Sequence, residues 1–318
     1  MRTYLAVAAL ILAPGLASAA VIGNGTVSLG VNALGQLNAD GVGLRYEPNS
    51  HEATIHGCPC EGWGVGIGET GLSGYANNAL GIAGLTSVSF VSDGTSATSI
   101  VTVDGTDLRV THVFAPAAET SNLYRVSVKI ENLGATNIAD LRYTRTFDWD
   151  VDPTPFSEFV TIQGVASTPS VLSATNNGFE DSNPFASRSS LGASGDFIDV
   201  GPFDHGSNFD FGFGALLAGA SYNFDIFYGA AGTEKDILAA LGAVGVELYS
   251  LGQSSGDPLG LGTDSSGRPT STFAFGFKGV GGVIIVDPPA PIPVPASGLL
   301  LLSALGLFGL RRRAKIAA

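Results

Sequence analysis

Residues 122–131 decide which class of fold is open to this chain. Leu123, Arg125, Ser127 and Lys129 alternate there with Tyr124, Val126, Val128 and Ile130, a period of two that turns one set toward a core and the other toward water. A helix would scatter those apolar residues around its circumference. The segment therefore predicts a half-buried β-strand, and the same grammar recurs along the chain. Residues 99–103 and 107–114 flank Asp104-Gly105, a hairpin signal, and Asn132-Leu133-Gly134 is a turn. Residues 21–37 read as strand, turn and strand around Asn32-Ala33-Leu34-Gly35, and 85–91 continue the style. Further strands are expected over 137–152, 159–164, 170–173, 209–217, 221–228, 246–251 and 272–278.

One helix interrupts this series. Thr233 stands as N-cap three residues before Asp236, with Glu234 and Asp236 suiting the positive end of the helix dipole. Ile237, Leu238, Leu241 and Val244 keep helical spacing until Gly245 stops the run. Many short strands with Gly, Asn and Asp turns and a single helix predict a mainly β fold: a β-sandwich, enlarged for the length, with the helix packed on a sheet. The Gly-, Ser- and Asp-rich stretches 176–190 and 253–270 read as surface loops, and so does Gly64-Val65-Gly66-Ile67-Gly68.

The two ends have a different character. At the start, Arg2 precedes an apolar stretch over 5–12 and a small-residue Ala17-Ser18-Ala19 site, the layout of a secretory signal peptide cut by signal peptidase between Ala19 and Ala20. At the other end, a Pro-rich segment over 287–295 would act as a stiff extended linker. The seventeen uncharged residues 294–310 follow, and as a helix they would reach roughly 25 Å, just short of a ~30 Å hydrocarbon layer. Arg311, Arg312 and Arg313 come next, a cluster that the positive-inside rule holds on the cytoplasmic side. The expected organisation is signal peptide 1–19, β-rich extracellular domain 20–286, linker 287–295, and a C-terminal signal 294–318 containing a transmembrane helix.

The series Val294, Pro295, Ala296, Ser297 and Gly298, the Leu/Gly-rich span and the Arg311–313 cluster together resemble the PEP-CTERM class of bacterial sorting signals, in its VPLPA-CTERM-like form. The resemblance covers residues 293–318 and does not extend to the body. It implies an exosortase-type processing enzyme as partner, cleavage near Pro295-Ala296, and delivery from the membrane to the cell surface or extracellular matrix. The protein is then the enzyme's substrate.

Between Ala20 and Gly298 ten Lys and Arg face twenty-eight Asp and Glu, a net charge of −18. Such a body repels nucleic acid and anionic lipid. Charged residues are nevertheless only 14% of the chain, too few for a charge-driven disordered tail.

Three groups could carry chemistry. Cys58 and Cys60 flank Pro59 and have no other cysteine to meet. In an oxidising envelope they either bridge each other, as a loop clip or a redox pair, or stay free; His51 and His56 would complete a Zn²⁺ or Cu⁺ set. Asp148, Asp150 and Asp152 alternate with Phe147, Trp149 and Val151. On a strand these carboxylates would share one face, either solvated beside Arg142 or relieved by Ca²⁺; Pro153 and Phe159 exclude an EF-hand. His112, and His205 beside Asp204, are general-base candidates without a G-x-S-x-G elbow.

Two functional classes follow. One is a non-enzymatic, structural or adhesive surface protein embedded in extracellular polysaccharide. The other is a secreted glycan-binding or glycan-cleaving protein that uses Trp63, Trp149 and nearby carboxylates, Glu158 among them.

Overall fold

The computed structural model describes residues 18–58 and 60–285. The expected signal peptide up to Ala17, the expected linker from residue 287, the span expected as a transmembrane helix, and Val294, Pro295, Ala296, Ser297, Gly298, Arg311, Arg312 and Arg313 of the expected sorting signal lie outside the described residues. Ala19 and Ala20, the flanks of the expected cleavage site, open the first strand.

Antiparallel pairing organises the body into three sheets. Strands β1 (Ala19–Gly23), β2 (Val27–Asn32), β3 (Leu44–Tyr46) and β4 (His51–Glu52) make a small sheet in sequential order. The chain then lays down β5 (Glu61–Ile67), β6 (Leu72–Asn77) and β7 (Gly81–Ala83), followed by the meander β8 (Leu85–Ser92), β9 (Ala97–Val103), β10 (Leu108–Pro116) and β11 (Leu123–Asn132). Next come β12 (Ile138–Trp149), β13 (Glu158–Gln163), β14 (Val171–Thr175), β15 (Phe197–Phe203), β16 (His205–Leu216) and β17 (Ser221–Ala231). Helix α1 (Glu234–Val244) precedes β18 (Leu248–Ser254) and β19 (Thr272–Lys278). Nine strands run in the order β15-β13-β18-β19-β17-β11-β10-β9-β8, and six in the order β14-β16-β12-β5-β6-β7.

The two large sheets face each other across a shared aromatic core, in a sandwich-like arrangement. Phe147 of β12 lies 5.2 Å from Phe275 of β19, Tyr143 lies 5.0 Å from Phe224 of β17, and Phe211 of β16 lies 5.0 Å from Phe277. Each such pair adds about 0.5–1.5 kcal/mol beyond its buried area. Strand β11 keeps its predicted alternation: Tyr124, Val126, Val128 and Ile130 are buried while Ser127 and Lys129 are exposed. Leu123, on the outward set, is also buried, because α1 covers that end of the sheet with Ile237, Leu241 and Val244. The helix has the predicted caps. The Thr233 side chain accepts the Asp236 N–H at 3.1 Å, and Gly245 closes the end at φ 71°, a conformation that favours glycine.

One expectation is overturned and a second is qualified. Residues 64–67 are not loop but part of β5, paired on both sides within the six-stranded sheet. Its outward glycines exist because another segment of chain lies on them: a Cβ at Gly64 would overlap the Ser182 carbonyl, and one at Gly66 would come within 2.5 Å of Phe185. That covering segment is the stretch 176–190 expected on the surface. Asn176 and Ser182 are 0% exposed, and Arg188 reaches under the segment to grip Asp210 of β16 at 2.6 and 2.7 Å. Within 253–270, Gln253 and Ser254 complete β18, and Asp257 is buried while Leu259 and Leu261 are exposed.

Candidate metal centre

Asp148, Asp150 and Asp152 alternate along the chain, and the fold keeps the first two together and sends the third elsewhere. Strand β12 ends at Trp149, so the strand face expected to carry all three does not exist. Asp148 is 1% exposed and Asp150 0%, which replaces the expected solvated face by a buried one. Arg142, expected beside them, pairs with Asp140 at 2.6 Å. Asp152 turns elsewhere: it accepts the Glu52 N–H at 3.0 Å and lies 3.1 Å from His56 Nε2.

Asp204 takes the third place. Carboxylate oxygens of Asp148, Asp150 and Asp204 all lie within 4.8 Å of one another. The register explains the meeting: Trp149 pairs with His205 at the end of the β12–β16 ladder, so Asp150 and Asp204 stand side by side just past the last rung. Glu158, 0% exposed, opens β13 opposite Phe203 and brings a fourth carboxylate into repulsion with the other three. Asp204 is also the single residue between β15 in one large sheet and β16 in the other. Residues 150–157 make the same crossing from β12 to β13. The cluster therefore occupies a corner where two crossings between the sheets meet.

Electrostatically the corner is unbalanced. Asp148 Oδ1 and both oxygens of Asp150 and of Glu158 are buried without a hydrogen-bond partner. Asp148 Oδ2 touches Cys58 Sγ at 3.8 Å, but Cys58 is joined to Cys60 in a disulfide and has no proton to donate. Six oxygens on three buried carboxyls thus lack a donor. Burial, reinforced by mutual repulsion, pushes Asp148 up to about 9, Glu158 to about 8 and Asp150 to about 7, and raises Asp204. The amides of Phe156 near Asp150 and of Ser157 and Val151 near Glu158 offset part of this without closing a hydrogen bond of ordinary geometry. Among the described residues no cationic side chain offsets the rest. His205 does not help: Asn176 Nδ2 donates to its Nδ1 at 3.1 Å, which assigns the proton to Nε2, 3.2 Å from the Glu158 carbonyl. Burial lowers this ring to about 4, so it is neutral.

Chemically the corner has two solutions. It shares protons, or it holds a hard cation with the carboxylates as ligands.

The other candidates fare differently. The disulfide removes both thiolates from the set His51, His56, Cys58 and Cys60, and the histidines are engaged apart from it, His51 Nδ1 at 3.4 Å from Ser271 Oγ and His56 beside Asp152. Trp63 and Trp149 are both 0% exposed, donating their indole N–H to the Leu34 carbonyl at 2.8 Å and to Ser250 Oγ at 3.0 Å, so neither can floor a glycan groove. His112 is enclosed 4.6 Å from the Trp63 ring, and burial holds it well below its usual range. Among the described residues no helix is long and apolar enough to cross a membrane. Asp204 is the residue that a reading of local sequence assigns to another pairing, beside His205, since only strand register unites it with Asp148; Glu158 is already among the carboxylates of the glycan reading. No protein-family model matches the chain and no curated protein matches it, so the reading of this corner rests on its own geometry.

Proposed function

We propose that the chain is an exported bacterial surface or extracellular-matrix protein, carried out by its signal peptide and sorted by a PEP-CTERM-like tail, with a β-sandwich body in a structural or adhesive role. The observation that carries the reading is the order of the tail: Pro295-Ala296, then the uncharged span to Leu310, then Arg311-Arg312-Arg313. An exosortase-type enzyme is the partner, and polysaccharide of the matrix is the surrounding medium. The body is consistent with such a role. Many of its aromatic residues are spent on the seam between sheets, and Trp63 and Trp149, which the glycan reading needs, are enclosed.

The test is processing in the native host. The double substitution Pro295→Asp and Ala296→Asp should leave the tail attached and the protein in the membrane fraction, where the wild type is released from its tail. An identical mature mass for wild type and variant would refute the sorting reading.

A further inference from the structure

We propose that Asp148, Asp150 and Asp204 form a Ca²⁺ site, with the unpartnered Glu158 flanking it, that fastens the two large sheets at their shared corner. The inference stands apart from the export reading, since it rests on the body alone.

The comparison that carries it is with the other buried acids of the same molecule. Glu52 accepts three backbone amides at 2.6, 2.8 and 3.1 Å. Asp257 accepts two at 2.9 and 2.7 Å, Glu180 accepts the Ser189 N–H at 2.6 Å, and Asp210 is held by Arg188. Glu61 meets Arg145 and the Leu37 N–H, and Asp264 meets Arg268 and Ser266. Each of these carboxylates thus has an amide, hydroxyl or guanidinium partner, although Glu61 Oε1 faces Arg145 as an ion pair without closing a hydrogen bond. Among the described residues the buried carboxylates with neither a cation nor a hydrogen-bond donor are Asp148, Asp150 and Glu158; the first two meet Asp204 within 4.8 Å, and Glu158 opens β13 opposite Phe203, the residue before Asp204. A cation supplies in one step what six unpartnered oxygens lack.

The donor set chooses the ion. All the free ligand atoms are carboxylate oxygens, both ring nitrogens of His205 are engaged, and the adjacent sulfurs are locked in a disulfide. That excludes the nitrogen and thiolate donors favoured by Zn²⁺. Ligands drawn from a strand end, a loop and a one-residue crossing make an irregular cage, which suits the flexible coordination of Ca²⁺ better than the strict octahedron of Mg²⁺. Asp204 is exposed and leaves an entry from solvent.

The experiment uses the full chain, purified in detergent and stripped with a chelator. Ca²⁺ is followed by calorimetry, and Tb³⁺ by luminescence excited through Trp149, the neighbour of two ligands. Saturating Ca²⁺ should raise the melting temperature by about 5 °C or more, with a smaller response to Mg²⁺. Asp204→Asn, at an exposed position that does not endanger folding, should weaken Ca²⁺ binding about tenfold or more, because ligand charge sets affinity in such sites; Asp152→Asn should leave it unchanged. Asp150→Asn should raise the melting temperature of the chelated protein and abolish its Ca²⁺ response. A chelated wild type that gains neither stability from Ca²⁺ nor luminescence from Tb³⁺ would overturn the site in favour of shared protons, and so would an Asp204→Asn variant that binds as the wild type does.

Discussion

Replacing Arg145 by Met tests whether the sandwich core depends on a single internal ion pair. Arg145 and Glu61 are both 0% exposed, and their side chains meet directly between the sheets. The guanidinium also lies 5.4 Å from the centre of the Tyr228 ring, and Glu61 accepts the Leu37 N–H at 2.8 Å. Burial pushes the Glu61 carboxyl up, and Arg145 is the largest influence pulling it back. Methionine fills much of the same space but strands the carboxylate with one amide donor. Breaking one partner out of a buried pair costs about 3–5 kcal/mol, which for a body of this size amounts to roughly 6–20 °C in melting temperature. Urea unfolding followed by tryptophan fluorescence measures it, since Trp63 and Trp149 pass from full burial to water. Adding Glu61→Gln to Arg145→Met should recover most of the loss, because the stranded charge is then gone. Acidification should do the same: without Arg145 the folded-state Glu61 binds its proton more tightly than the unfolded chain does, so the variant gains relative stability as pH falls from 7 toward 5. Arg109→Ala, which breaks a partly exposed pair whose Glu131 keeps Lys129 as a second partner, should move the midpoint far less than Arg145→Met does. An Arg145→Met variant within about 1 kcal/mol of wild type, or one that Glu61→Gln does not rescue, would refute the reasoning.

Two further outcomes follow from the same structure. Gly64→Ala places a methyl group on the Ser182 carbonyl oxygen; backbone stands on both sides of that contact, so the variant should lose about 1–3 kcal/mol, read as an earlier urea midpoint. In chelator, the raised carboxyls of Asp150, Glu158 and Asp148, at about 7, 8 and 9, keep protons in the folded state that the unfolded chain has released. Stability should therefore fall as pH climbs from about 5 toward 9, and saturating Ca²⁺ should flatten that decline by replacing the protons; melting temperatures across this range in chelator and in Ca²⁺ check it, and a chelated protein that grows more stable over the interval contradicts the sign.

Much of the β architecture was legible because period-two alternation and turn residues act locally. Strand β11, the β9–β10 hairpin about Asp104-Gly105, β19 over Thr272–Lys278, and α1 with its Thr233 and Gly245 caps all stand where those signals place them. Strand β5 was illegible for a stated reason. Its pattern of glycine and apolar residues reads as loop when a strand is assumed to face water on its outer side, whereas here residues 176–190 lie against that side and only hydrogen atoms fit at Gly62, Gly64 and Gly66. The covering stretch is the loop that its composition predicts, with Phe179, Phe185, Ser187, Ser189 and Ser190 exposed, but its inner polar residues pair with one another and with the sheet, as Ser182 Oγ does with Asn77 Nδ2 at 3.2 Å.

The corner carboxylates show where sequence reasoning stops in principle. Spacing within 148–152 identifies an acidic run but cannot say which of its members turn inward, because that depends on β12 ending at Trp149 and on the next residues crossing to the other sheet. Asp204 lies more than fifty positions away and reaches Asp150 solely through the Trp149–His205 register. A shift of one residue in that ladder would place His205 beside Asp150 and carry Asp204 back toward β15. The same rung that closes the β12–β16 ladder thus also assembles the acidic corner, so any substitution that slips this register should disturb packing and cation response together, whereas one that only removes a ligand, such as Asp204→Asn, should separate them.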